Sequence, residues 1–195
     1  MQMKPLQIFP YAMVRLLRFI RHRLKITDLR LRGVLVDASA VIHPRAIIEP
    51  SGGKIVIGAR TFIDNGVILR PLGGRIEIGA DCAINAYSVL YGGGGLTIGN
   101  EVQIAAHTVI VPSNHIFADP SISINDQGLS LKGIEIENDV WVGAGVRILD
   151  GVRLSQGTVV GAGAVVTQTT EAYSVVVGVP AVKISSRKIV QEKVN

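Results

Sequence analysis

Histidine is the side chain best suited to carry protons near neutral pH, because its pKa lies close to neutrality. The sequence has four: His22, His43, His107 and His115. His22 lies in a basic N-terminal segment, where we expect a solvated or lipid-facing charge, and His43 is expected at a surface turn. His107 is expected to point outward from the fold. His115 opens a long loop, and a loop on a rigid scaffold is where catalytic residues tend to lie.

Three further side chains are notable by type. Asn85 follows an aliphatic position of a repeat, where its amide could contact a ligand or simply form part of a turn. Trp141 is the only tryptophan and is expected to face outward, as a packing wall for a ligand or for a second subunit. Cys82 is the only cysteine, which excludes an internal disulfide, and we expect it to be a packing residue.

The element that must position these residues is a six-residue repeat. From Val36 onward an aliphatic residue recurs every six positions, in five blocks separated by insertions. Each hexapeptide is predicted to form a short strand and a turn, and three of them close a triangular coil with the aliphatic residue inside. The predicted inward positions are Val36, Ile42, Ile48, Ile57, Ile63, Leu69, Ile78, Ile84, Leu90, Ile98, Ile104, Ile110, Ile136, Val142, Ile148, Leu154, Val160 and Val166.

Departures from the repeat predict where loops emerge. Glycine pairs at Gly52-Gly53 and Gly73-Gly74 and the run Gly92–Gly95 fall at the same point of successive coils and indicate turns at one corner. The largest departure, about residues 111–132, predicts one long inserted loop. A β-sandwich would instead show a period of two with irregular turns, so the strict period of six argues against it.

The net charge of +5 belongs to one segment. Residues 1–32 hold eight Lys or Arg and one acid, Asp28, whereas the other 163 residues hold twelve basic and fourteen acidic side chains. No basic stripe with interleaved aromatics runs through the repeats, so we expect no nucleic-acid partner. No apolar run reaches the length of a transmembrane helix and no secretory signal is evident, so we expect a cytoplasmic protein.

The basic segment is predicted to be an amphipathic helix over about residues 11–25. Its predicted apolar face carries Met13, Leu16, Leu17, Ile20 and Leu24, and the opposite face Arg15, Arg18, His22 and Lys25. Such a helix could cap the open end of the repeats, pack in an oligomer, or lie on a membrane surface. The predicted organisation is a helical segment at 1–32, a repeat domain at 33–184 and a C-terminal tail at 185–195.

Together with the repeats, three motifs carry a family resemblance: the run 112–117 (PSNHIF), the run 138–145 (NDVWVGAG) and the run 177–181 (VGVPA). Over about residues 36–184 the sequence resembles the hexapeptide acyltransferases, most closely the maltose, galactoside and polysaccharide O-acetyltransferases. The resemblance implies an all-β fold, a left-handed parallel β-helix of hexapeptide repeats with an N-terminal helix and one long inserted loop. It also implies a homotrimer with active sites between subunits.

The resemblance assigns roles to individual residues. It implies that His115 is the general base and that Asn85 contacts the acceptor. Trp141, an outward ring in a sequence poor in aromatic residues, is a further candidate for binding the substrate. Acetyl-CoA would bind as co-substrate in a groove between adjacent β-helices, with no metal. The matching cofactor-binding positions are Gly143, Ala144, Gly161, Ala162 and Thr167, followed by Gln168 where a basic residue is common. Lys183, Arg187 or Lys188 could supply that charge, or could belong to a solvated tail.

The function expected on this basis is transfer of an acetyl group from acetyl-CoA to a hydroxyl of a sugar or glycan. The alternative within the fold is an antibiotic or amino-sugar N- or O-acetyltransferase. A zinc carbonic-anhydrase-like enzyme would need three converging histidines, and only His107 and His115 are near each other. A non-catalytic scaffold would leave the His115 loop without a role. Asp119 and Glu135 are candidates to orient His115 by their proximity in sequence alone.

Overall fold

The computed structural model describes residues 8–187, and within the first helix it describes side chains at 13, 14, 17 and from 20 onward. The sequence-based statements on Arg15, Leu16, Arg18 and Lys188 therefore concern side chains outside the described part. Helix α1 spans Ile8–Leu31 and is followed by 22 strands. The strands fall into three long sheets, which we call A, B and C, and one short hairpin.

Three strands, one from each sheet, make one triangular coil. Sheet A contains β1 (Leu35–Val36), β4 (Lys54–Ile57), β7 (Arg75–Ile78), β10 (Leu96–Ile98), β15 (Ile134–Ile136) and β18 (Arg153–Leu154). Sheet B contains β2 (Val41–Ile42), β5 (Phe62–Ile63), β8 (Ala83–Ile84), β11 (Gln103–Ile104), β16 (Trp141–Val142), β19 (Val159–Val160), β21 (Ser174–Val177) and β22 (Val182–Ser186). Sheet C contains β3 (Ile47–Ile48), β6 (Ile68–Arg70), β9 (Val89–Tyr91), β12 (Val109–Val111), β17 (Arg147–Leu149) and β20 (Val165–Val166). The hairpin is β13 (Asn114–His115) with β14 (Leu129–Ser130).

The chain therefore winds through about six coils, which confirms the predicted β-solenoid. Strands within each sheet pair in parallel, coil upon coil, apart from β22, which returns antiparallel to β21. Backbone hydrogen bonds run between coils, so each coil satisfies the polar groups of its neighbours. We name the corners by the sheets they join: AB, BC and CA. The left hand of the coil stays an expectation from the resemblance.

The interior is built from the aliphatic repeat. All eighteen predicted inward positions are buried, and so are the six residues that lie four positions after the last six of them. Glycine at the AB corner allows coils to stack closely, since a Cβ on Gly58 would lie 2.5 Å from the carbonyl oxygen of Gly79. The glycine pairs of the CA corner and the long loop, which joins β12 to β15, all lie along one edge of the solenoid.

Helix α1 covers the open end of the first coil. Ile26 and Leu29 are buried against the core, and the Arg30 guanidinium donates two hydrogen bonds to the Val36 carbonyl, at 3.1 and 2.7 Å. His22 is half-buried and its Nδ1 lies 3.2 Å from the carbonyl oxygen of Ile42. We expected His22 to be solvated or to face lipid, and the structure differs in placing it, half-buried, against the exposed strand edge of the first coil.

Candidate functional site

His115 lies on the hairpin that leaves the CA corner. In β13 it pairs with Leu129 of β14, while Asn114 pairs with Ser130. The His115 side chain is exposed and, among the described residues, has no hydrogen-bond or ion-pair partner. The surface hairpin thus leaves the His115 imidazole accessible to a ligand or to a second chain.

The return strand of the hairpin is held to the solenoid by one carboxylate. Asp150, in the turn after β17, accepts hydrogen bonds from the Ser130 hydroxyl at 2.9 Å and from the backbone N–H groups of Lys132 and Gly133, both at 2.9 Å. A carboxylate receiving three donors fixes the point at which the loop rejoins coil five. Asp150 does not stand out in the sequence, because its partners are about one coil away in the chain.

The tip of the loop, residues 119–127, is held by hydrogen bonds among its own residues. Asp119 accepts hydrogen bonds from the Ser121 hydroxyl and N–H, which lowers the pKa of this carboxyl below its ordinary value. The Gln127 amide donates to the carbonyl oxygens of Asp119 and Ile122. The Asp119 carboxylate therefore forms its hydrogen bonds within the loop. Glu135 points from sheet A toward Arg153, at 3.5 Å, so neither residue contacts His115 as had been considered.

The loop surface is apolar although it is exposed to solvent in one chain. Phe117 is 74% exposed, and five other large apolar side chains of the loop are exposed with it. They are Ile116, Ile122, Ile124, Leu129 and Leu131. Exposed apolar side chains clustered around a candidate catalytic residue indicate a surface that a ligand or a second chain covers.

Asn85 lies on a different corner, BC. It is half-buried, and its side-chain amide donates a hydrogen bond of 2.8 Å to the carbonyl oxygen of Ile104 in the next coil. This bond ties two coils together and leaves the amide oxygen without a described partner. The structure thus gives Asn85 a packing role through its nitrogen, and its contact with an acceptor stays a prediction.

Beside Asn85 the BC corner carries an aromatic stack. The rings of Tyr87 and His107 lie 5.5 Å apart at an interplanar angle of 14°. The Asn65 amide donates to the Tyr87 hydroxyl at 3.1 Å, and Arg147 donates to the His107 carbonyl oxygen at 3.2 Å. Tyr87 was not singled out from sequence. The signal was its register, since Tyr87 and His107 each follow an inward isoleucine by three residues.

Four of the predicted cofactor-binding positions also line the BC corner. Gly143 is buried, and a Cβ there would lie 2.6 Å from the backbone nitrogen of Ala162. A Cβ on Gly161 would likewise lie 2.6 Å from Val177. These glycines are required by coil stacking, whether or not a ligand binds. Ala144 and Ala162 are exposed on the turns and present small side chains and backbone to the outside.

The remaining positions lie apart from that corner. Thr167 is exposed at the CA corner after β20, and Trp141 is 56% exposed on the outer side of sheet B, between Gln103 and Val159. Lys183, on β22, forms an ion pair with Glu171, which lowers the pKa of that carboxyl. The ion pair is exposed, and a contact of Lys183 with a cofactor phosphate stays a prediction.

Two groups of candidates thus lie on two edges of one chain. His115 belongs to the CA edge, whereas Asn85, His107, Ala144 and Ala162 belong to the BC edge, one strand of sheet C away. Within the described residues no three His, Cys, Asp or Glu side chains lie close enough to hold a metal ion.

Known proteins share this architecture. Residues 133–168 match the family described as bacterial transferase hexapeptide (six repeats). A probable acetyltransferase of Mycobacterium tuberculosis is 28% identical over 183 residues, which cover 92% of this chain and 59% of that protein. The chain thus spans about three fifths of that relative, and less of other curated relatives.

Two solved structures separate branches of the fold. A mutant of AntD, an N-acyltransferase from Bacillus cereus in complex with dTDP-4-amino-4,6-dideoxyglucose and coenzyme A, has a TM-score of 0.73 and 29% identity, covering 83% of this chain and 89% of that one. A maltose O-acetyltransferase from Clostridium difficile 630 has a TM-score of 0.52 and 20% identity, covering 80% and 70%. The second likeness shows the fold alone.

Residues 133–168 therefore match a hexapeptide-transferase repeat, and the chain is similar to hexapeptide-repeat acyltransferases over most of its length. These similarities agree with the resemblance to hexapeptide acyltransferases found in the sequence. They do not favour its O-acetyltransferase branch, since similarity to the N-acyltransferase AntD exceeds similarity to the maltose O-acetyltransferase.

Proposed function

We propose that this chain is an acyl-CoA-dependent acyltransferase whose acceptor is the amino group of a sugar. The observation that carries the acyl-transfer part of the proposal is the exposed imidazole of His115, which has no partner among the described residues and lies on a hairpin that Asp150 fixes to the scaffold. Similarity to acyltransferases, one of them solved with an amino sugar and coenzyme A, supports the donor and the acceptor.

The chemistry needs one proton acceptor. The lone pair of the acceptor nitrogen attacks the thioester carbonyl, and a C–N bond forms while the carbonyl oxygen becomes an oxyanion. His115 takes the proton that the nitrogen loses, and the oxyanion collapses, breaking the C–S bond. The departing thiolate regains a proton, so that the products are an amide and free coenzyme A. A positioned base contributes typically about 10²–10⁴-fold to such a step.

Assembly into a homotrimer would bring the two groups of candidates together. On the outer side of sheet B, Val41, Phe62 and Trp141 are exposed, and sheet C carries Ile47 and Val89 at equivalent outward positions. Apolar strips of this kind mark subunit interfaces. Packing sheet B of one copy on sheet C of the next makes a heterologous contact, which closes into a ring when the rotation is 120°.

In such a ring the BC edge of one copy would face the His115 hairpin of its neighbour. Acyl-CoA would then lie along the BC edge, where Ala144 and Ala162 leave the backbone accessible. Small residues and free backbone groups suit the extended pantetheine arm, which offers amide groups for hydrogen bonding. Lys183 forms an exposed ion pair with Glu171, and exchanging that carboxylate for a phosphate would let Lys183 contact the cofactor.

A second candidate is transfer to a hydroxyl. An amine attacks through a lone pair that it already has, whereas a hydroxyl is a poor nucleophile until a base removes its proton. A dedicated general base is therefore needed more by an O-acetyltransferase than by an N-acetyltransferase. The presence of His115 keeps a sugar hydroxyl as the alternative acceptor, and the test includes both.

The test is coenzyme A release from acetyl-CoA, followed as free thiol, with nucleotide-linked amino sugars and their hydroxyl counterparts as acceptors. We expect release to require an amino sugar and to fall on the order of a hundredfold in His115→Ala. His43→Ala is the matched control, since His43 is half-buried at a remote turn, where its Nδ1 accepts from the Arg45 N–H.

Each result has a distinct meaning. Coenzyme A release with hydroxyl acceptors alone would show that the acceptor group is a hydroxyl and not an amine. Unchanged release in His115→Ala would remove His115 from the mechanism and turn attention to His107. Failure to bind acetyl-CoA, measured by calorimetry on the assembled protein, would refute the acyltransferase proposal as a whole.

A further inference from the structure

The outer side of α1 carries an apolar stripe that no part of the described chain covers. The stripe, as we use the term, consists of Met13, Leu17, Ile20 and Leu24, all exposed, with Leu24 at 64%. At 3.6 residues per turn these four positions fall within about 60° of one another around the helix. They form a continuous line about three turns long.

The opposite side of α1 is the one that caps the solenoid. His22, Ile26 and Leu29 contact the first coil, and their mean direction around the helix is about 180° from the stripe. Helix α1 therefore has two apolar sides: one is buried against the first coil and the other, the stripe, is exposed. The stripe must point away from the first coil, along the solenoid axis, because the capping side points into it.

Basic side chains border the stripe. The sequence of α1 contains six Lys or Arg and one acid, Asp28. Arg21 and Arg23 lie about 70–90° to either side of the stripe. An apolar line with cations on its flanks is complementary to a surface that has apolar chains beneath and anionic groups around them. A second copy of the same helix would instead bring like charges together.

We propose that α1 binds an anionic lipid surface, lying in the plane of the interface with the stripe inserted among the acyl chains. Among the described residues no helix has the length and apolar character to cross a bilayer, so the contact is peripheral. The proposal is independent of the catalytic one. It gains strength from the proposed ring, because cyclic symmetry would place three such helices at one end and multiply a weak contact.

The test is flotation of the full-length protein with phosphatidylcholine vesicles and with vesicles of equal parts phosphatidylcholine and phosphatidylglycerol. We expect binding to the second kind alone, and loss of most binding at about 1 M salt, where the Debye length falls to about 3 Å. The paired variant Leu17→Ser with Leu24→Ser should bind at least tenfold more weakly. Leu72→Asn is the matched control, because Leu72 is 55% exposed on the solenoid and its φ of 48° suits asparagine.

Circular dichroism and light scattering establish that the variants are folded and assembled. Two results would overturn the proposal: equal flotation of wild type with both kinds of vesicle or with neither, and undiminished binding by the paired variant. A third is a lower oligomeric mass of the paired variant without lipid, which would show that another copy of the chain covers the stripe. Acetyl transfer in solution by every variant would separate this outcome from failure of the catalytic proposal.

Discussion

The outer side of sheet A differs from the outer sides of sheets B and C, although all three enclose the same core. On sheet A several outward residues form ion pairs between coils: Lys54 with Glu77, and Arg153 with Glu135 and Glu137. The outward residues Leu35, Val56 and Thr97 of the same sheet form none. On sheets B and C most outward residues are apolar. They are Val41, Phe62, Ala83, Trp141, Val159 and Val175 on sheet B, and Ile47, Ile68, Val89, Val109 and Val165 on sheet C.

A solenoid specifies its fold with inward residues and leaves its outward residues free for other uses. The inward repeat is equally apolar on all three sides, so the contrast outside cannot come from folding the single chain. A charged side suits water, whereas two adjacent apolar sides suit contact with other copies. The contrast therefore supports the proposal that copies of this chain meet through sheets B and C, and exchanging the chemistry of equivalent positions tests it.

The largest effect is expected from a charge on sheet C. Val89 lies between Ile68 and Val109, so Val89→Lys would bury an unpaired charge in the proposed interface. Thr97→Lys is its partner on sheet A, where the new amine would lie between Glu77 and Glu135. We expect Val89→Lys to be monomeric and inactive and Thr97→Lys to be trimeric and active, as measured by light scattering and thiol release.

Trp141 gives a second measurement of the same contrast. It is the only tryptophan, so its emission reports on the outer side of sheet B alone. Emission should shift to the red in Val89→Lys and stay unchanged in Thr97→Lys, because only the first exposes the indole to water. A trimeric Val89→Lys, or a monomeric wild type, would show that the apolar sides serve something other than assembly.

An intermediate effect is expected at the CA edge, where the charged side meets an apolar one and the His115 hairpin emerges. Asp150→Ala removes the three hydrogen bonds that hold the return strand, at a cost of about 1–3 kcal/mol to local order. We expect the rate constant kcat to fall on the order of tenfold to a hundredfold, because a mobile base is seldom in position. Oligomeric mass should not change.

Asp126→Ala is the control for that experiment. Asp126 is an exposed acid of the same loop, and within the described residues its side chain has no partner. Its loss should leave kcat within about twofold of wild type, since a surface side chain of this kind contributes little. Equal loss in both variants would indicate a general sensitivity of the loop to charge, and unchanged kcat in Asp150→Ala would show that the hairpin needs no anchor.

The repeat made the fold predictable, because one aliphatic residue in six fixes strand, turn and burial together, as Ile84, Ile104 and Val142 illustrate in sheet B. The features it did not reveal are side-chain contacts between coils. Asp150 meets Ser130 across 20 residues of sequence, and Tyr87 meets His107 across 20. Such pairs meet because they occupy matching positions in neighbouring coils. Insertions of variable length between the repeats mean that these positions cannot be matched from sequence until the coils are aligned.

For the candidate site, His115 could be singled out from the sequence, whereas the residues around it could not. Asp119 and Glu135 are near it in the chain, yet one closes the loop tip and the other pairs with Arg153. A site formed between copies leaves no trace of its partners along a single sequence. The same holds for α1, where periodicity predicted an apolar face and could not tell that a second apolar side, Ile26 and Leu29, does the capping.

The smallest effect is expected from the charged side itself. Hydrogen bonds from the Arg153 guanidinium and from the Gln156 N–H lower the pKa of Glu137 below its ordinary value of 4.5. A carboxyl whose pKa is depressed on folding contributes stability above its unfolded pKa, and that stability is lost as the pH falls through the folded pKa. The melting temperature of wild type should therefore drop more steeply below about pH 4.5 than that of Arg153→Gln, and the two curves should converge in acid.

The control is Arg45→Gln, which removes an exposed arginine without a described ion pair and should follow wild type. Melting curves that run parallel for wild type and Arg153→Gln would mean that the ion pairs of sheet A only keep that side hydrated. A stability difference that is present at neutral pH and lost in acid would show that the ion pairs also hold its coils together.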